Sequence, residues 1–256
     1  MPKQAQAAPN APRSMTIVLP AYNEAKRIGP ALDELFAYLK PRPAELPATS
    51  VRVVDDGSTD DTAALVRARP EAVDGLLNLM TVPHAGKGAA VRAGMLAATG
   101  DLVIFADADM ATPPSELPKL VKALETADVA LGSRIQPDGS DMRATQPAYR
   151  RALGALFHLL AKIWVVGDVE DTQCGFKGFT QEAAKDIFAL QKVTSIVFDV
   201  ELIHLARRRG YRIAVVPIRW EDVRGSRMRP GPLLALKVAL DLFRIPLLHR
   251  SVRRRS

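Results

Sequence analysis

Residues Gly100–Pro113 read GDLVIFADADMATP. Five apolar residues, Leu102–Ala106, run unbroken and stop on two carboxylates, Asp107 and Asp109, two positions apart. An apolar run of this length, opened by Gly and closed by polar residues, reads as a strand buried on both faces. Two carboxylates at its carboxyl end repel each other, and a hard divalent cation such as Mg2+ or Mn2+ relieves that repulsion. Working upstream, the pattern repeats. Thr16–Leu19 is apolar and ends in Pro20-Ala21-Tyr22-Asn23-Glu24; Val51–Val54 ends in Asp55-Asp56-Gly57-Ser58; Leu76–Val82 ends in His84-Ala85-Gly86-Lys87-Gly88. Helical spacing fills the gaps at Ala31–Leu39, from Ser58 as N-cap to about Arg69, and at Gly88–Ala98. Strand–helix alternation with continuous apolar strands predicts an α/β fold, a mostly parallel central sheet flanked by helices. Ligands bind at the carboxyl ends of such strands, so the four polar clusters are predicted to share one rim.

Downstream, Ser115–Glu125 reads as a helix and Asp128–Leu131 as a strand, followed by a long helix over Pro147–Val165. Cys174–Thr180 is a Gly/Lys/Phe-rich segment without a clear period. Helices follow near Gln181–Leu190 and Val200–Arg209, a strand at Arg212–Val216, and an apolar helix at Pro232–Ile245.

Composition narrows the function. With 48% apolar residues in 256, one large core can form. The single cysteine, Cys174, excludes a disulfide framework and a multi-cysteine metal site, fits a reducing compartment, and reads as a buried small residue. Gly86-Lys87-Gly88 lacks the spacing of a P-loop, and no Gly-x-Gly-x-x-Gly follows the first strand. Its glycines are expected to let the backbone approach a ligand, with Lys87 reaching a phosphate. The net charge of +7 is uneven: residues 204–256 hold 14 Lys/Arg against 3 Asp/Glu. Aromatics are only 5% and no nucleic-acid motif is present, so a nucleic acid is not the expected polyanionic partner.

Seven segments, in order, resemble the inverting GT-A-fold glycosyltransferases of family 2: Ile17–Arg27 (IVLPAYNEAKR), Val54–Thr62 (VDDGSTDDT), Gly86–Gly94 (GKGAAVRAG), Gly100–Pro113, Leu131–Arg134 (LGSR), Asp171–Phe179 (DTQCGFKGF) and Phe198–Leu202 (FDVEL). The last two are similar to the branch that charges polyprenyl phosphates with glucose. The resemblance implies a nucleotide-sugar site made by Pro20, Ala21, Tyr22, Glu24, Asp55 or Asp56, Lys87, Asp107 and Ala108. It implies Asp109 as the main ligand of Mg2+ or Mn2+, with Asp107 on metal or ribose. Arg134, Arg150 or Arg151, and Arg227 would face the acceptor phosphate. Asp171, Gln173 and Lys177 would lie near donor sugar or acceptor.

The expected reaction is inverting transfer of a hexose, with UDP-glucose the preferred donor, to a polyprenyl or dolichyl phosphate. GDP-mannose or a UDP-N-acetylhexosamine remains open as donor. So does a soluble hydroxyl acceptor, which would need a general base, with Asp199 as candidate. The expected organisation is a disordered leader over 1–14, a GT-A domain over 15–230, and an amphipathic helix with a basic tail over 231–256. Leu233, Leu236, Leu240, Phe243 and Leu247 recur at helical spacing ahead of the basic run at His249–Arg255. This end is expected to lie on an anionic membrane surface, placing the protein at the cytoplasmic face as a peripheral enzyme. The alternative is a helix packed on the core with a frayed tail.

Overall fold

The computed structural model describes residues 14–142, 165, 169–221 and 232–255, with only the helical backbone given for 232–237. The leader up to residue 13, most of the helix expected over Pro147–Val165, and Arg150, Arg151 and Arg227 lie outside the described residues.

Seven strands form one sheet in the order β3-β2-β1-β4-β6-β5-β7. They are β1 (Ser14–Ala21), β2 (Ala48–Asp55), β3 (Leu77–Thr81), β4 (Leu102–Ala106), β5 (Val129–Ser133), β6 (Phe176–Thr180) and β7 (Ile213–Pro217). Ser14, expected in the leader, belongs to β1. Every pairing is parallel except those of β6, which runs antiparallel to β4 and β5.

Alternation along each strand sends side chains to two core layers. Val18, Val54, Val103 and Phe105 pack under the helices α4 (Lys87–Ala97), α6 (Gln181–Leu190) and α7 (Phe198–Arg209). Ile17, Leu19, Val53 and Ile104 pack under α1 (Ile28–Leu39) and α5 (Leu117–Ala123). Two short helices, α2 (Thr62–Arg67) and α3 (Pro70–Val73), connect β2 to β3. Ser58 is not the cap of α2, which starts at Thr62; its hydroxyl accepts from the Asn23 amide at 2.9 Å instead.

The final helix, α8 (Pro232–Leu248), buries Leu242 and Ile245 against the α4/α6/α7 layer and leaves Leu240, Phe243 and Leu247 exposed. The tail beyond it is docked, not frayed: Arg208 donates to the carbonyls of Arg250 and Val252, and Arg209 to that of Arg253. No described helix is long and apolar enough to cross a membrane.

Candidate active site

Register brings the strand ends together. Ala21 stands opposite Asp55, Asp55 opposite Thr81, and Val18 opposite Phe105, so β3, β2, β1 and β4 all end on one rim. Because β6 is antiparallel, its first residue Phe176 pairs with Ala106, the last residue of β4. The chain entering β6, including Asp171 and Gly175, therefore reaches the same rim.

At the β1/β2 end, Pro20 and Ala21 run into Tyr22-Asn23-Glu24. Asn23 sits at φ 54°, and its Oδ1 accepts from the Thr59 amide at 2.8 Å, which holds the turn. Glu24 makes a two-pronged ion pair with Arg27, both bonds 2.6 Å. Asp55 is buried and accepts from the Ser58 amide at 3.1 Å. Asp56 is also buried and accepts from the amides of Ala85 and Gly86 at 2.9 and 3.0 Å, tying the end of β2 to the loop after β3. His84 Nδ1 lies 2.8 Å from Asp56 Oδ2, and its ring stacks on Tyr22 with centroids 4.1 Å apart. His84 stands in the polar cluster after β3, and its contacts with Asp56 and Tyr22 add it to the residues expected at the nucleoside end of the rim.

Lys87 Nζ lies 2.5 Å from Asp107 Oδ1. Burial alone would lower the Lys87 pKa; the carboxylates of Asp107, Asp199 and Asp109 outweigh it and raise the pKa, so the ammonium is kept. The glycines flanking Lys87 have a packing role of their own. A Cβ at Gly86 or Gly88 would lie 3.0 or 2.9 Å from the Thr194 carbonyl oxygen. They make room for the protein's own chain.

Asp107 and Asp109 flank the buried Ala108. Burial, and then the Asp107 charge, push the Asp109 carboxyl above its usual range. That is the electrostatic deficit a divalent cation removes. Among the described residues no third His, Cys, Asp or Glu joins them. Two carboxylates would suit a hard divalent cation such as Mg2+ or Mn2+, which takes oxygen ligands. Asp107 is also held from beneath, its amide donating to the Gly175 carbonyl at 3.0 Å.

On the β5/β6 side, Arg134 makes a bidentate pair with buried Asp171 (2.8 and 2.6 Å), and its guanidinium lies 5.5 Å from the Trp220 ring centroid. Asp171 thus orients Arg134. Lys177 is fully buried, donating to the Cys174 carbonyl and to Asp199 Oδ1, each at 2.5 Å. Lys177, expected near donor sugar or acceptor, and Asp199, the candidate base, are thus both withdrawn from solvent into one ion pair. Cys174 is buried, and burial, then Asp171, pushes its thiol up to about 12, so it stays protonated.

Comparison with known proteins agrees with this architecture. A model of glycosyl transferase family 2 matches residues 16–188. A dolichyl-phosphate beta-glucosyltransferase of Trichomonas vaginalis is 40% identical over 244 residues, covering 92% of this chain and 72% of that protein. The Homo sapiens dolichyl-phosphate beta-glucosyltransferase is 35% identical over 229 residues, covering 85% of this chain and 70% of the other. Among solved structures, glucosyl-3-phosphoglycerate synthase from Mycobacterium tuberculosis, in complex with Mn2+, UDP and glucosyl-3-phosphoglycerate, aligns with a TM-score of 0.62 at 24% identity. It covers 95% of this chain and 82% of that one. At that identity the likeness is one of fold, the GT-A architecture.

Proposed function

This chain belongs to glycosyl transferase family 2, and we propose that it transfers glucose from UDP-glucose to a polyprenyl or dolichyl phosphate with inversion at the anomeric carbon. The observation that carries the acceptor is the identity, 40% over 92% of the chain, to a protein described as a dolichyl-phosphate beta-glucosyltransferase. The geometry supports it. Pro20, Ala21, Tyr22 and Glu24, with Asp55, Asp56 and His84, form the nucleoside end of the rim. Lys87, Asp107, Ala108 and Asp109 form the diphosphate end.

Asp107 and Asp109 would hold Mg2+ or Mn2+, which when bound neutralises charge building on the departing diphosphate. Lys87 adds a fixed ammonium beside it. A phosphate acceptor is ionised near neutral pH and attacks without a general base. It needs orienting cations instead, and Arg134, anchored by Asp171 and Trp220, still has N–H donors beyond those the carboxylate uses. Arg150, Arg151 and Arg227 complete the proposed phosphate-binding set. A hydroxyl acceptor would need a base, and the candidate for it, Asp199, is buried and held in an ion pair with Lys177; this favours the phosphate. The outward face of α8 supports a peripheral position on an anionic membrane surface, and the single buried cysteine fits its cytoplasmic side.

The test is incubation with Mg2+ or Mn2+, a short polyprenyl phosphate, and each of radiolabelled UDP-glucose, GDP-mannose and UDP-N-acetylglucosamine. Label from UDP-glucose should enter the organic phase, and Asp109→Ala should abolish the transfer. Label from another donor would change the sugar assigned. Transfer only to soluble alcohols would overturn the acceptor.

A further inference from the structure

The connection between α6 and α7 meets the glycines flanking Lys87 on one side and the C-terminal segment on the other. On the Lys87 side, the Thr194 carbonyl accepts from the Gly88 amide at 3.1 Å, and Gln191 Nε2 donates to the Gly88 carbonyl at 2.9 Å. Gly86 and Gly88 have no Cβ because that carbonyl occupies the space. The loop is thus fitted to the backbone on both sides of Lys87.

On the far side the loop is held by Glu201, a fully buried carboxylate in the first turn of α7. Its two oxygens accept from the amides of Lys192 and Val193, both at 2.9 Å. Oε1 also takes a 2.6 Å bond from His249 Nε2, itself fully buried at the end of α8. Two further bonds join loop and C-terminal segment: Ser195 Oγ to Asp241 Oδ2 at 2.7 Å, and Lys192 Nζ to the Leu248 carbonyl at 3.0 Å. A buried carboxylate that fixes two consecutive amides leaves the loop a single conformation, because releasing either would leave buried polar groups unpaired.

We propose that Glu201 and His249 are positioning residues for the donor site: through the 191–197 loop they set where Lys87 stands against Asp107. The inference rests on the reading of Lys87 as the donor-diphosphate lysine. Through it the C-terminal segment, remote in sequence, becomes part of the donor-binding apparatus.

The experiment measures UDP affinity by calorimetry with Mg2+, together with Michaelis constants for donor and prenyl phosphate, in the full chain. His249→Leu removes the bond to Glu201 at similar volume; His249→Gln keeps a donor. His249→Leu is expected to weaken UDP binding about tenfold, on the order of one charge-assisted hydrogen bond. The prenyl phosphate KM should be unchanged, and His249→Gln should recover most of the loss. A folded His249→Leu protein with a lowered Tm and wild-type UDP affinity would overturn the proposal and leave the pair a purely structural role. If that variant does not fold, Ser195→Ala decides. It removes the bond to Asp241 and the longer one, 3.4 Å, that Ser195 Oγ accepts from the Val197 amide, and should weaken UDP binding about threefold; wild-type affinity there would overturn the proposal too. A wild-type protein that binds neither UDP nor GDP would refute the donor reading instead.

Discussion

Asp107 keeps its position because residue 175 has no side chain. A Cβ there would fall inside the Asp107 carboxylate. Gly175→Ala must therefore shift the Asp107 carboxylate from its place beside Lys87, and displacement of a reacting constellation by about 1 Å can cost 100-fold in rate. We expect kcat to fall by roughly that factor while the variant still folds, as followed by turnover beside a thermal melt. Cys174, Gly175 and Phe176 could be picked out in the sequence only as part of a motif. The reason for the glycine lies in Asp107, 68 positions away, and no local pattern carries it. The same holds for Gly86 and Gly88, whose partner is the Thr194 carbonyl. What the sequence did carry at this scale was the chemistry: carboxylates, a lysine and aromatics directly after apolar runs.

A second residue titrates far from the rim. Burial, followed by the charges of His249 and Arg208, lowers the His204 pKa to about 4 from an ordinary 6.5. The folded state therefore binds fewer protons than the unfolded state between those values, and stability must fall as the pH drops through that window. His204→Gln should flatten the part of the acid limb between pH 6.5 and 4 in chemical denaturation curves. An unchanged limb would show that His204 titrates normally.

Among the strands, β6 is the one whose sequence pattern does not announce it. It has five residues, with Gly178 at its centre and Lys177 buried inside a four-residue apolar stretch of the sheet. A lysine at such a position argues against a strand until its partner is known, and Asp199 lies 22 residues on, at the start of α7. Elements with an unbroken pattern were legible to the residue: Leu102–Ala106 and Gln181–Leu190 have the predicted bounds. The start of α2 was not, because Asn23, far away in the chain, recruits the hydroxyl of Ser58 that would have capped it. The β6–α7 tie makes a prediction of its own. Lys177→Met strands the Asp199 carboxylate in the core and should cost about 3 kcal/mol of stability. Adding Asp199→Leu should restore most of it, because apolar replacement of a whole buried pair is close to neutral. Urea denaturation of the two single variants and the double one completes the cycle; additive losses would mean that the two groups do not act as a pair.

At the scale of the whole molecule, charge and apolar surface meet at the C-terminal end. Leu242, Ile245 and His249 face the core, so deleting the last 25 residues would damage the fold and would say nothing about lipid. The outer face can be tested separately. Leu240 and Leu247 are 52% and 67% exposed, and Arg244, Arg250, Arg253 and Arg254 are exposed in the same C-terminal segment. An apolar stripe bordered by arginines matches the boundary between acyl chains and anionic headgroups, where each Arg contributes about 1 kcal/mol. The full chain should sediment with vesicles containing phosphatidylserine and less with neutral ones. The electrostatic part should weaken as salt is raised towards 1 M, where the screening length shrinks to about 3 Å. Leu240→Ser with Leu247→Ser should release the protein from the vesicles while leaving UDP affinity intact, because neither side chain contributes to the buried layer that holds the 191–197 loop. Wild-type sedimentation by that double variant would assign the exposed stripe a different partner. Loss of UDP binding along with sedimentation would mean instead that the outer face of α8 is coupled to the donor site more tightly than its hydrogen bonds indicate.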